Sequence, residues 1–398
     1  MKPALKVGAA MLAAGTVLMA GAAGTARPGP DNEATANTLV TQCANVKQGD
    51  LVLITGTPSD APLIESVAVQ VRKLGAFPLI SVGSERLARR FYDEVPARFD
   101  GQTDQFDLKL ASIITARISI DASENPALFA DASPERLAAF SKAEKPIAEA
   151  LLKRNVRQVS LGNGLYPTAA TAKLHGLSQE ALSTLFWQGV NTDYSSLQDT
   201  GEAIQRALAS GKEVRITNPN GTDLKFGIQG RTAFASDGVI STDDIAKGGA
   251  ACQVWLPAGE VYGTPTPGTA AGKVVIDRYL FQGKEITGLT LTFKAGKLTD
   301  FTAQAGLEPL RAAYAASDTG RDAFAFFDIG INPAIKIPQS SKLLAWMPAG
   351  MVTIGVGENT WAGGTNTSNF ELSGFLPNST LTVDGKPLVQ NGQLKLTP

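Results

Sequence analysis

Residues 51–82 read LVLITGTPSDAPLIESVAVQVRKLGAFPLISV, and this stretch decides the fold of the first half of the chain. An apolar run at residues 51–55 is followed by helically spaced apolar residues at 62–74 and by a second apolar run at 77–82. Strand, helix and strand in succession are typical of parallel β-sheets whose crossover connections are helices. We therefore expect a parallel sheet covered by helices.

The same alternation continues to about residue 210. The further predicted elements are a helix through residues 86–91, strands at 113–120 and 156–161, and helices at 134–153, 178–190 and 194–209. Ser178 stands just before one of these helical segments, where a serine side chain can accept a hydrogen bond from the first helical turn. The pattern predicts an α/β domain over residues 38–210.

The character of the sequence changes after Gly211. Asn220-Gly221 lies between two short apolar runs, and this dipeptide supplies the positive φ angles that a tight hairpin turn requires. Similar short runs bounded by glycine predict strands at residues 274–281, 286–293, 297–303, 351–356 and 380–389, with one helix at 307–317. The predicted fold class is therefore an N-terminal parallel-sheet α/β domain followed by a mostly β (α+β) domain over residues 211–398.

Charge and histidine content exclude several classes of function. The chain has 36 Lys and Arg residues against 37 Asp and Glu, a formal net charge of -1, so no cationic excess is available to neutralise a nucleic-acid backbone. His175 is the single histidine in the sequence, which excludes zinc sites with several imidazole ligands. His175 itself directly precedes Gly176, and we interpret it as a surface or capping residue.

The N-terminus predicts export. Lys2 and Lys6 precede an apolar segment at residues 7–23 and then small residues, as in a secretory signal peptide at residues 1–26. An uncleaved membrane anchor is the alternative, although the segment is short for a full span. We therefore expect a secreted or periplasmic protein with no membrane association after cleavage. In that compartment Cys43 and Cys252 either form a disulfide or are two separate buried thiols.

Several stretches of the second half carry polar groups at turns or strand ends. They are NPNGTDL at residues 218–224, LPAGEVY at 256–262, IGINPAIK at 329–336, TIGVGEN at 353–359, and TVDGK at 382–386. Taken singly, each stretch is better explained as an ordinary hairpin turn in a β domain. Trp255, Trp346 and Trp361 lie near these motifs, and they either fill the core or line an aromatic pocket.

Together and in this order, the stretches resemble the thermophilic-type leucyl aminopeptidases, a family of two-metal metallopeptidases. Tyr166-Pro167-Thr168, which precedes the helix near Ser178, is also similar to that family. The resemblance covers most of the chain beyond the signal peptide. It implies a homodimer and a two-metal centre at which a metal-bound hydroxide attacks the peptide bond.

The resemblance also implies a set of metal ligands, most of which are replaced here. The bridging glutamate of the family falls on Glu260. The other ligand positions fall on residues that differ from the family pattern, namely Phe326 (with Asp328 the nearest acid), Thr353, Glu371 and Ser373, and a tyrosine of the family falls near Thr360. Phenylalanine and threonine cannot supply the anionic or imidazole ligands that two divalent ions require. We therefore expect a divergent member in which the family's zinc or cobalt centre is absent.

Two hypotheses on function stay open at this point. The first is an exported aminopeptidase-like protein without catalysis, which binds a peptide or small-molecule ligand and needs no cofactor. The second is an active secreted metallo-aminopeptidase with a reorganised, carboxylate-rich site. In that site Glu260 and Glu371 are the candidate metal ligands, and with Asp328 and Glu358 they would form an all-oxygen cage for a divalent cation such as calcium or magnesium.

Overall fold

The computed structural model describes residues 31–396, so the predicted signal peptide at residues 1–26 lies outside the described residues. The helices are α1 (Asn32–Asn37), α2 (Ala61–Lys73), α3 (Glu85–Glu94), α4 (Gln105–Ile113), α5 (Pro134–Lys153), α6 (Ala169–Leu174), α7 (Gln179–Val190), α8 (Tyr194–Ala209), α9 (Thr242–Lys247) and α10 (Glu308–Ala316). A π-helix at Thr38–Cys43 continues α1, and short 3₁₀ helices lie at Pro58–Asp60, Ala97–Phe99, Gly249–Cys252 and Thr360–Ala362. Among residues 31–396, every helix is too short or too polar to cross a bilayer.

The strands are β1 (Leu51–Gly56), β2 (Phe77–Val82), β3 (Ala116–Ile120), β4 (Arg157–Leu161), β5 (Glu213–Asn218), β6 (Thr222–Gly227), β7 (Ala233–Ser236), β8 (Gln253–Leu256), β9 (Glu260–Gly263), β10 (Ala271–Phe281), β11 (Lys284–Lys294), β12 (Lys297–Thr302), β13 (Phe324–Gly330), β14 (Val352–Gly357), β15 (Glu371–Leu376), β16 (Thr380–Val383), β17 (Lys386–Gln390) and β18 (Gln393–Leu394). They form three sheets, which we call the parallel sheet, the eight-stranded sheet and the five-stranded antiparallel sheet.

The parallel sheet has the strand order β2-β1-β3-β4-β8, and all of its strand pairs are parallel. This confirms the α/β prediction for the first half. The fifth strand, β8, comes from well beyond residue 210, so the second half of the sequence completes this sheet. The strand predicted from residue 113 begins only at Ala116, because α4 continues to Ile113 and the Ile114 N–H still donates to the Leu110 carbonyl at 2.9 Å.

The second half is built from antiparallel strands, as predicted. The eight-stranded sheet has the order β12-β11-β10-β6-β5-β16-β17-β18, and the five-stranded antiparallel sheet has the order β15-β14-β13-β9-β7. Asn220-Gly221 makes the expected turn between β5 and β6, with Gly221 at φ +98°. The run predicted at residues 380–389 divides into β16 and β17, because Asp384 and Gly385 both have positive φ angles that turn the chain back.

One continuous hydrophobic core joins the two halves. It includes Ile54 and Val159 of the parallel sheet together with Leu224, Val261 and Val356 of the antiparallel sheets. Two small clusters stay separate from this core, and both contain residues of α5. One cluster consists of Leu53, Ala111, Ile114, Leu151 and Val156, and the other is centred on Leu137 and Phe140.

The two cysteines are not joined. Cys43 and Cys252 are both free and buried, so the disulfide alternative is excluded and the separate-thiol alternative holds. Burial raises the pKa of Cys43 to about 12 and that of Cys252 to about 11. Because the thiolate is the reactive form of cysteine, burial lowers the reactivity of both thiols at neutral pH.

Candidate functional site

The junction between β8 and β9 carries the chain from the parallel sheet to the five-stranded antiparallel sheet. Residues 257–259 make this passage, and Gly259 has a φ of +124°. A Cβ atom on Gly259 would lie 2.5 Å from the Cβ of Asn332 and 2.8 Å from its backbone nitrogen, so only glycine fits. The Leu-Pro-x-Gly-Glu motif therefore places Glu260 at the first position of β9, next to the boundary between the two sheets.

Asn332 holds this junction in place. Its side-chain amide donates to the Ala258 carbonyl at 2.6 Å and to the Gly189 carbonyl at 3.1 Å, and its backbone N–H donates to the Met347 carbonyl at 2.7 Å. The asparagine of the Gly-x-Asn-Pro motif thus connects α7, the sheet junction and the segment between β13 and β14. Its role is structural.

The strand register defines one face of the five-stranded antiparallel sheet. Residues directly opposite each other in antiparallel strands point to the same side. One such row crosses all five strands through Phe234, Tyr262, Asp328, Thr353 and Phe375. We call the side of the sheet that carries this row the inner face.

All the positions that the resemblance assigns to metal ligands on these strands lie on the inner face. Glu260 is two residues from Tyr262, Phe326 is two residues from Asp328, and Thr353 belongs to the row itself. Ser373 is two residues from Phe375, and Glu371 precedes Ser373 by two. The ligand positions that the resemblance assigns therefore share one face, since strand residues two apart point to the same side.

Aromatic side chains fill the inner face. The Phe326 ring has no exposed surface, and its centroid lies 4.8 Å from that of Trp361 and 5.9 Å from that of Trp346. The ring covers Gly355, where an added Cβ would come within 1.9 Å of it. Trp361 and Trp346 are themselves 3% and 2% exposed, so the tryptophans near the motifs fill the core.

Glu260 has a neighbour that the sequence reasoning missed. The Asn163 side-chain amide donates to Glu260 Oε1 at 2.7 Å and to the Pro257 carbonyl at 3.2 Å, and both Asn163 and Glu260 are buried. Asn163 lies between Gly162 and Gly164, immediately after β4, with a φ of 43°. A Gly-Asn-Gly sequence at the carboxyl end of a parallel strand, where ligands bind in open α/β sheets, was the signal that could have found it.

Tyr262 lies beside two carboxylates. Burial, reinforced by the charges of Glu260 and Asp328, raises the pKa of the Tyr262 phenol well above its usual value. The phenol donates to the Ala250 carbonyl at 3.0 Å. The Thr353 hydroxyl is also buried and has no hydrogen-bond partner among residues 31–396.

The four acidic candidates fall into two separated pairs. The first pair is Glu260 and Asp328: Glu260 lies opposite Gly330 on the neighbouring strand, and Asp328 is two residues before Gly330. The second pair is Glu371 and Glu358: Glu371 lies opposite Gly357, and Glu358 is the next residue after it. Three strand spacings separate β9 from β15, which is roughly 14 Å across the sheet. Glu371 accepts a hydrogen bond from Ser373 at 3.2 Å, and Glu358 accepts one from the Thr360 N–H at 2.7 Å.

The donors on the inner face do not fit a two-metal centre. The resemblance assigns the family's second carboxylate to Phe326, which is a buried ring, and one of its histidines to Thr353, which offers a single hydroxyl. In the part of the chain that the structure describes, three or more His, Cys, Asp or Glu side chains are nowhere grouped so that they could hold a metal ion.

His175 lies in the α/β half, where it hydrogen-bonds to the backbone of Gly164, the residue after Asn163. It is the C-cap residue of α6, which agrees with its interpretation as a capping residue. Burial, together with the nearby charge of Arg278, lowers its pKa to about 4. The imidazole is therefore neutral at physiological pH.

The class of the protein is aminopeptidase-like. The features that define it are a parallel sheet, a Leu-Pro-x-Gly-Glu junction that leads into an antiparallel sheet, and a buried glutamate on the inner face of that antiparallel sheet. The chain belongs to the thermophilic metalloprotease (M29) family, which it matches over residues 31–324. This confirms the resemblance inferred from the motifs. The chain is also similar to aminopeptidase PepS of Streptococcus thermophilus, with 26% identity over 298 residues, which is 68% of this chain and 70% of PepS.

Two solved structures share the fold. Wild-type AmpT from Thermus thermophilus matches with a TM-score of 0.70 and 19% sequence identity, over 91% of this chain and 98% of AmpT. A 2,5-dihydroxypyridine dioxygenase from Pseudomonas putida KT2440 matches with a TM-score of 0.59 and 12% identity, over 92% and 98% of the two chains. Because proteins named for such different reactions share the fold, the reaction must be argued from the site.

Proposed function

We propose that this chain is an exported member of the aminopeptidase family that has lost metal-dependent catalysis and acts by binding a peptide or small molecule. The observation that carries the proposal is the position of Phe326. A fully buried ring, packed between Trp346 and Trp361 and covering Gly355, stands where the family has a metal-binding carboxylate. An aromatic side chain at this position supplies no ligand for a metal ion.

The extent of the family match supports the proposal. The match ends at residue 324, and the replaced ligand positions at Phe326, Thr353, Glu371 and Ser373 all lie beyond it. A two-metal peptidase depends on anionic and imidazole groups around both ions to generate a hydroxide at neutral pH. The matched region, residues 31–324, contains the parallel sheet and the sheet junction. These parts are needed for folding whether or not the protein is an active peptidase.

The test is a combined measurement of metal content and peptidase activity. The purified protein is assayed on aminoacyl p-nitroanilides with added zinc, cobalt or manganese, and its metal content is measured by mass spectrometry. We expect no chelator-sensitive turnover and no stoichiometric transition metal. Turnover that a chelator removes, that disappears in Glu260→Ala and that survives in the exposed control Glu180→Ala would refute the proposal.

The second candidate function is an active metallo-aminopeptidase with a carboxylate-rich site. Burial of four acidic side chains on or beside the five-stranded antiparallel sheet favours it, namely Glu260, Asp328, Glu358 and Glu371. Under this hypothesis Glu371→Ala and Glu260→Ala both abolish activity. The separation of the two pairs argues for the first candidate.

Export and assembly are further parts of the proposal. Export is supported by the two lysines and the apolar segment that follows them within residues 1–26. Sequencing of the N-terminus of protein recovered from the medium or periplasm tests export, and cleavage after residue 22 or 26 is the expected result. The family resemblance favours a homodimer, which the mass measured in light-scattering chromatography would test.

A further inference from the structure

Helix α5 carries a glutamate on its buried stripe. Leu137, Phe140 and Leu151 are the inward-facing residues of this helix. Glu144 follows Phe140 by four residues and precedes Leu151 by seven, which is the spacing of residues on the same helical face. An acidic side chain therefore stands where the pattern calls for an apolar one.

A cavity lies next to this glutamate, between the two small hydrophobic clusters that contain residues of α5. Its volume is about 340 Å³, and Phe99, Phe106, Phe129, Phe140, Ile147 and Glu144 are among the residues that line it. Phe140 and Phe129 belong to one small cluster, and Ile147 packs on the other. The volume falls within the range of small-molecule sites, which are mostly apolar with a few fixed polar groups.

The other carboxylates of the cavity wall already have partners. Arg136 donates to both oxygens of Asp100, at 2.5 and 2.9 Å, in a buried bidentate pair. Asp104 is the N-cap of α4 and accepts from the Phe106 and Asp107 N–H groups at 2.8 and 3.1 Å. Glu144 differs from both, because it is largely buried and forms no hydrogen bond or ion pair within residues 31–396.

The charges behind the cavity leave a negative surplus. The positive charge of Arg117 on β3 stabilises the ionised form of Glu144, but the same guanidinium also stabilises the ionised form of Asp107. Arg117 Nε is buried without a hydrogen-bond partner in the described part of the chain, so it makes no close pair through that atom. One guanidinium thus faces two carboxylates, and the carboxylate that reaches the cavity is Glu144.

The aromatic walls suit a cation as well. The Arg98 guanidinium already lies 4.5 Å from the centroid of the Phe99 ring, and Arg136 lies 5.8 Å from that of Phe140. Aromatic faces attract cations, most strongly where water is excluded. An ammonium group beside Glu144 would gain a charge-assisted hydrogen bond, while the hydrophobic body of the ligand would pack on the phenylalanine rings.

We propose that this cavity binds a small organic ammonium ion, with the ammonium group held by Glu144 and an apolar body packed among the phenylalanine side chains. The site lies in the α/β half, away from the inner face. The proposal is therefore independent of whether peptidase activity is lost.

The test compares three ligands of similar shape and different charge. Phenethylammonium, 2-phenylethanol and 3-phenylpropionate are titrated into the purified protein by calorimetry, with saturation-transfer NMR to detect weak binding. We expect phenethylammonium to bind at least about 10-fold more tightly than the alcohol, since a desolvated charge pair contributes well over 1.4 kcal/mol. The propionate should bind most weakly. Saturable binding of none of the three, or equal binding of all three, would overturn the proposal.

Variants assign the effect to this cavity. Glu144→Gln keeps the shape of the side chain and should remove the preference for the ammonium over the alcohol, while Phe106→Ala should weaken both ligands. Glu149→Gln, an exposed substitution on the same helix, is the matched control and should bind as the parent protein does. A Glu144→Gln protein that melts cooperatively and still prefers phenethylammonium would refute the assignment.

Discussion

Phe326 and Gly355 form a pair that fixes the chemistry of the inner face. Gly355 lies opposite Phe326 in the register of β13 and β14, and its missing side chain provides the space that the ring occupies. An apolar ring in this place stabilises the packing against Trp361 and Trp346 but provides no ligand for a cation. The mutual fit of these two residues is the packing on which the proposed loss of metal binding rests.

Replacement of Gly355 by alanine should destabilise the protein. The new Cβ would lie within 1.9 Å of the Phe326 ring, and overpacking of this kind costs about 2 to 3 kcal/mol of unfolding free energy. Urea unfolding followed by tryptophan fluorescence measures the loss. Gly101→Ala is the control, because no atom lies within 4 Å of a Cβ at that position. An equally large loss in a Phe326→Ala background would show that the ring is not the cause.

Glu144 should make stability depend on pH. Burial raises its pKa from 4.5 to about 7, with Arg117 opposing the shift and Asp107 adding to it. The folded state therefore binds this proton more tightly than the unfolded state, so stability falls as pH rises from about 4.5 to 7 and then stays level. At about 1.4 kcal/mol per pKa unit, the full effect is on the order of 3 kcal/mol.

The measurement is the difference in unfolding free energy between Glu144→Gln and the parent protein across that pH range. We expect the variant to gain stability over the parent as pH rises, with no difference below about pH 4.5. For the exposed control Glu149→Gln, the difference in unfolding free energy from the parent protein should not change with pH. A Glu144→Gln difference that is equally flat would mean that the carboxylate ionises as it does in water.

At the scale of elements, a buried ion pair connects the start of β1 to β4. Arg157 Nη2 lies 2.7 Å from Asp50 Oδ2, and Arg157 also donates to the Asn45 carbonyl at 2.6 Å. Although burial opposes its ionisation, hydrogen bonds from Arg157, the Lys47 N–H and Thr115 lower the pKa of Asp50. The pair holds the segment before β1 against the amino-terminal end of β4 in the parallel sheet.

Asp50→Asn should cost about 3 kcal/mol of unfolding free energy, because it leaves the buried Arg157 charge without its counterion. The contribution of Asp50 is present above its unfolded-state pKa of 3.8 and is lost as pH falls through its lower folded-state value. Chemical denaturation at neutral pH measures the cost. Asp223→Asn breaks the exposed pair with Arg215 and should cost less than about 1 kcal/mol. Similar losses in the two variants would contradict this ranking.

At the scale of the whole molecule, the shared core predicts one cooperative unit. The main hydrophobic core contains residues of the parallel sheet and of both antiparallel sheets, and β8 from the second half completes the parallel sheet. Two regions that share one core unfold together, since neither can keep its buried surface alone.

Thermal unfolding should therefore show one transition by different probes. Far-ultraviolet circular dichroism reports mainly on the helices of the first half, whereas three of the four tryptophans, namely Trp255, Trp346 and Trp361, report on the inner face. We expect the two midpoints to coincide in the parent protein and to fall together in Gly355→Ala. Two separate transitions, with only the fluorescence transition shifted by the substitution, would contradict a shared core.

The sequence alone determined the fold class, the family and the presence of a single imidazole. Strand-helix alternation in residues 51–82, the Asn220-Gly221 turn and the ordered motifs are local signals, because they depend on periodicity, turn chemistry and spacing. The cap at Ser178 was predictable for the same reason, since its hydroxyl accepts from the Ala181 N–H only three residues away. Helix α6 and the exact start of β3 were missed, because short elements carry little periodicity.

Only the tertiary structure decided which distant residues meet. Strand order and register decide that Asn163 bonds Glu260 and that Glu260 lies apart from Glu371. They also decide that the two cysteines stay free and that aromatic rings cover Gly355. The cavity beside Glu144 likewise lies between segments that are far apart in the chain. Local signals cannot specify such contacts, because long-range packing is fixed by how all the elements bury their apolar faces at once.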